Sequence, residues 1–108
     1  MAKYFLFESS DYFTQRDTET HWQLASDLKE AGNEVILFLV GNGVLPARKS
    51  VATPSLTKLA KSGVQIWADP LALRERGITH DTLLPDVQMT DMHEAINCIA
   101  QGYKAIWH

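Results

Sequence analysis

The stretch Val35-Ile36-Leu37-Phe38-Leu39-Val40-Gly41-Asn42-Gly43 decides the fold. Its first six residues are all apolar and rich in β-branched and aromatic side chains. The run is too short for a buried helix and too uniform for a strand with one wet face. It reads as a strand covered on both sides, as inside a parallel sheet. It is also far below the roughly 20 apolar residues needed to cross a bilayer.

Working outward, Tyr4-Phe5-Leu6-Phe7 and Val64-Gln65-Ile66-Trp67 read as strands of the same kind, with Asp86–Met89 and Ala105-Ile106-Trp107 as two weaker ones. Helical spacing lies between them. Trp22, Leu24, Ala25, Leu28 and Ala31 precede Gly32; Leu56, Leu59 and Ala60 precede Gly63; Leu71, Ala72 and Leu73 precede Gly77. Met92, Ala95, Ile96 and Ile99 form an apolar face before Gly102, with Cys98 beside it. A glycine after the last helical turn supplies the left-handed stop. Starts are marked by Thr53-Pro54, Asp69-Pro70 and Asp91-x-x-Glu94, and the first helix is placed to begin between Asp17 and Thr20. Strict strand–helix alternation predicts right-handed βαβ units. The expectation is one α/β domain over residues 1–108. It is a three-layer sandwich with a mostly parallel five-stranded sheet, helices on both faces, and Leu6, Ile36, Leu37, Phe38 and Ile66 in the core.

Composition narrows the function. The 108 residues are 45% hydrophobic and 21% charged, a globular balance, with a formal net charge of -3. Lysines and arginines are scattered among acids with no basic stripe, so no nucleic-acid partner is expected. No signal peptide and no membrane span is read, and the one cysteine, Cys98, forms no internal disulfide. Together these features predict a cytoplasmic protein without a membrane partner.

In open parallel sheets ligands bind beyond the carboxyl ends of the strands. Ser9, Asn42, Trp67 and Asp69 fall there and form the candidate binding pocket. Gly41-Asn42-Gly43-Val44 lacks the Lys-Ser/Thr of a phosphate loop, and the turn reading is preferred. Asp69 is read first as a helix cap, with a pocket-facing acid, base or ligand as the sharper alternative. Cys98 has no cation one turn away, so it reads as a packed thiol. His21 is placed on a helix surface, and His21, His80, His93 and His108 show no ligand spacing. No metal, no cofactor and no hydrolase triad is proposed, and whether the chain is an enzyme stays open.

Several segments, in order, carry a resemblance: Tyr4–Ser9, Trp22–Ala31 with Gly32-Asn33-Glu34-Val35, Phe38–Val44, Gly63–Trp67, Leu73–Ile78 and Lys104–Trp107. The chain resembles the DsrE-like family of sulfur-relay subunits and their relatives. The resemblance implies a flavodoxin-like topology, a homo-oligomer with Trp67, Tyr103 and Trp107 as candidate contact residues, and partners among sulfur-relay proteins. Sulfur-carrying members hold a persulfide on a cysteine just after the third strand. The matching Trp67-Ala68-Asp69-Pro70 has none. The resemblance therefore implies a non-catalytic or ligand-binding member associated with intracellular sulfur metabolism. The alternatives are a small enzyme using the pocket around Asp69 and a sulfur carrier working through Cys98.

Overall fold

The computed structural model describes residues 1–51 and 53–108. Five strands, β1 (Lys3–Glu8), β2 (Glu34–Leu39), β3 (Gln65–Ala68), β4 (Val87–Met89) and β5 (Lys104–Trp107), form one sheet in the order β4-β3-β2-β1-β5. Every pairing is parallel. The helices are α1 (Asp17–Glu30), α2 (Pro54–Lys61), α3 (Pro70–Glu75) and α4 (Met92–Ala100). The α/β sandwich and all five expected core residues are borne out: Leu6, Leu37 and Phe38 are fully buried, and Ile36 and Ile66 nearly so.

Register aligns Leu6 with Leu37, Leu37 with Ile66 and Ile66 with Val87, so one row of aliphatic side chains crosses the sheet. Alternation sends that row to the face covered by α1, α2 and α3 through Trp22, Ala25, Leu56, Leu59, Ala72 and Leu73. The opposite face carries Phe5, Phe7, Ile36, Phe38 and Trp67 against Ala95 and Cys98 of α4. Its rings meet edge to face, Phe5 lying 5.7 Å from Phe38 and 5.6 Å from Trp67.

The two faces are covered unequally, and α4 differs from its sequence reading. Ala95 and Cys98 turn inward, whereas Met92, Ile96 and Ile99 stay exposed. One helix resting on a narrow sheet buries only one flank of an apolar stripe. Trp107, on the edge strand β5, stacks on Phe7 at 4.5 Å yet remains 61% exposed.

The connection after β2 is packed rather than loose. Gly41–Ala47 forms 3-10 turns whose Val44, Pro46 and Ala47 are buried. Gly43 is required there because a Cβ would overlap the carbonyl oxygen of Glu8. The turn reading of this glycine segment thus has a specific cause: it lies directly over the end of β1.

Candidate functional site

Strand order reverses at β1, with β2 to β4 on one side and β5 on the other, so the crevice beyond β1 and β5 is the switch point of the sheet. Glu8 ends β1 there. Alternation along β1 puts its side chain on the face of Leu6, which α1 covers, and it is fully buried. Oε2 accepts the Ser10 N–H at 3.0 Å and lies 2.8 Å from His108 Nδ1. Oε1 has no partner among the described residues.

The His108 backbone is held on both sides. Its N–H donates to Phe7 O at 2.9 Å, and its carbonyl accepts the Ser9 N–H at 2.9 Å and the Ser9 hydroxyl at 3.0 Å. The ring keeps 27% of its side-chain surface open to solvent. His21 of α1 stacks on it, centroids 5.0 Å apart and planes inclined 24°. Thr18, one turn earlier on α1, is also buried, and Thr18 Oγ1 and His21 Nε2 are without partners among the described residues.

Burial pushes the Glu8 carboxyl above its ordinary value, against the opposing pull of the His108 bond and charge and the Ser10 amide. Burial and the nearby His108 lower the His21 imidazole, with a hydrogen bond to the Phe7 backbone partly offsetting them. The arrangement therefore sets a buried carboxyl against the His108 ring, beside a His21 whose charged form is disfavoured.

The sequence missed this group. Placing His21 on the helix surface is corrected: it is 7% exposed. A polar residue at the end of an apolar strand, Glu8 after Phe7, was the available signal. Its histidine partner stands 100 residues away in the chain, and only the β1–β5 pairing brings it near.

The sequence-derived pocket residues all reach the strand ends, where their side chains are engaged separately. Ser9 binds His108 as described. Asn42 Oδ1 accepts from Arg76 Nε at 3.2 Å and Nη2 at 3.0 Å at the surface. Asp69 Oδ2 accepts the Ala72 N–H at 3.2 Å and caps α3. Trp67 belongs to the aromatic cluster on the α4 face. Cys98 is buried, and its thiol is pushed up by burial and by Glu94, with Lys3 pulling weakly the other way. Among the described residues no group of three or more His, Cys, Asp and Glu side chains is placed to hold a metal ion. Elsewhere, folding gathers Lys49, Lys58 and Lys61 along an open groove of about 580 Å³.

An all-parallel three-layer α/β domain with a buried carboxylate at its switch point defines the class. The chain belongs to the DsrE/DsrF-like family, whose model matches residues 1–107. A search of curated proteins found no match. Among solved structures, the ychN protein from E. coli superposes with a TM-score of 0.90 at 17% identity, covering 100% of both chains. The protein MTH1491 of unknown function from Methanobacterium thermoautotrophicum follows at 0.76 and 17%, covering 98% of this chain and 99% of the other. BT1422 from Bacteroides thetaiotaomicron, also of unknown function, reaches 0.73 at 15%, with 96% and 94% covered. At these identities the likeness concerns the fold.

Proposed function

We propose that this DsrE-family chain serves intracellular sulfur metabolism as an oligomeric, ligand-binding protein that does not carry sulfur on its own cysteine. The observation that carries the reading is the turn between β3 and α3. Where the resemblance places the family's persulfide cysteine stands Asp69, whose carboxylate is spent on the Ala72 N–H. The one thiol, Cys98, sits on the inward side of α4 with its ionisation opposed by burial and by Glu94, whereas a sulfur acceptor needs an accessible thiolate.

Self-association is supported by Met92, Ile96 and Ile99, which line one exposed flank of α4 on the same face as Trp107. Contiguous apolar surface of this kind marks interaction sites. A cytoplasmic location fits the cysteine usage. Among the described residues no helix is long and apolar enough to cross a membrane.

The test is mass spectrometry after exposure to a persulfide donor. The natural protein is expected to gain no sulfur, and Asp69→Cys to gain the mass of one sulfur atom. Uptake by the natural protein at Cys98 overturns the non-carrier reading in favour of a carrier.

A further inference from the structure

We infer that Glu8, His108 and His21 form a proton-accepting site for a small thiol beyond the carboxyl ends of β1 and β5. The inference extends the sulfur-handling reading, but it rests on other residues, so a failed persulfide test at Asp69 or Cys98 leaves its own test standing.

A buried carboxylate bonded to one imidazole nitrogen orients the ring and leaves the other nitrogen for chemistry. Here Glu8 takes Nδ1 of His108 at 2.8 Å, Ser9 and Phe7 clamp the backbone, and His21 covers one ring face. Nε2 of His108 has no hydrogen-bonding partner among the described residues, and the ring is partly open to solvent. The unpartnered buried Glu8 Oε1 and His21 Nε2 are second signs of an unfilled polar site. From the packed elements, Glu8 meets the Ser10 amide and His108, the residue after β5, and His108 meets His21 of α1; burial, together with His108 itself, disfavours the charged form of His21.

Acid strength selects the ligand. A thiol is a stronger acid than an alcohol and gives its proton to a neighbouring base more readily, whereas an alcohol needs further activation. The adjacent Ser9 hydroxyl is already committed to the His108 carbonyl. In the step, the S–H bond breaks, its electron pair stays on sulfur as thiolate, and the proton forms an N–H bond at His108 Nε2. The resulting imidazolium is paired with the Glu8 carboxylate. No oxidant or reductant is needed, and the proton returns when the thiol leaves.

Imidazole NMR signals of the natural protein, titrated with 2-mercaptoethanol and with ethylene glycol, test this. A saturable shift of His108 with the thiol and none with the diol is expected. Glu8→Gln should weaken that saturation by about tenfold or more, and His108→Asn should abolish the accompanying response at His21. An equal response to both compounds, no saturation, or unchanged saturation in a folded Glu8→Gln overturns the site. If Glu8→Gln does not fold, His108→Asn decides: a persisting His21 response overturns it, and a lost one supports it.

Discussion

Glu8 concentrates the opposing forces at the residue scale. A fully buried carboxylate is costly in its charged form, and only His108 and one backbone amide offset that cost on Oε2. Burial holds the carboxyl above its ordinary value of 4.5 in the folded state. The folded protein then binds the proton more tightly than the unfolded chain. Glu8's contribution to stability is present below about 4.5 and is lost as pH rises through the folded value. His21 acts in the opposite sense. Its folded value lies below the ordinary 6.5, so its contribution is present above 6.5 and is lost as pH falls through the folded value. Urea unfolding of the natural protein and Glu8→Gln across pH should therefore show the natural protein's relative stability declining as pH rises from 4.5. Parallel curves would mean that Glu8 ionises as it does in the unfolded chain.

At the scale of elements, caps separate residues that look alike in sequence. Asp69 and Asp91 both accept a backbone N–H at their helix starts, from Ala72 and Glu94. Thr53 occupies the same position before α2, but its hydroxyl donates to Pro46 O and ties the helix to the packed turn after β2. Asp69→Ala should cost on the order of 1 kcal/mol in denaturant unfolding, while Asp69→Asn or Asp69→Ser keeps most of it. A much larger loss would assign Asp69 a role beyond the cap. Helix α4 was legible as a helix from its apolar spacing. Its outward flank was not, because spacing reveals that a stripe exists and not how much of it the sheet covers.

Over the whole molecule, one helix on the second face leaves Met92, Ile96, Ile99 and Trp107 in solvent. The protein should therefore scatter light with a mass above the 12.1 kDa of one chain at micromolar concentration. Ile96→Glu should return it to that mass. Because Ile96 is 59% exposed, the substitution should leave the unfolding free energy of the single chain within about 0.5 kcal/mol. A single-chain mass for the natural protein at all concentrations would remove self-association from the functional reading.

The sequence by itself determined the architecture of this protein, because the signals for it are local. A six-residue apolar run such as Val35–Val40 demands cover on both faces. Helical spacing and a following glycine bound each helix within a dozen or so residues, and alternation leaves a parallel sheet as the consistent closure. Asp69 was legible as a cap for the same reason, since donor and acceptor are three residues apart. The Glu8–His21–His108 group was decided by the tertiary structure alone. Its members are ordinary residues on β1, on α1 and just after β5. They meet because β5 pairs with β1 and delivers His108 to the end of that strand, where His21 of α1 stacks on it. No local pattern encodes that meeting; the order of the strands does.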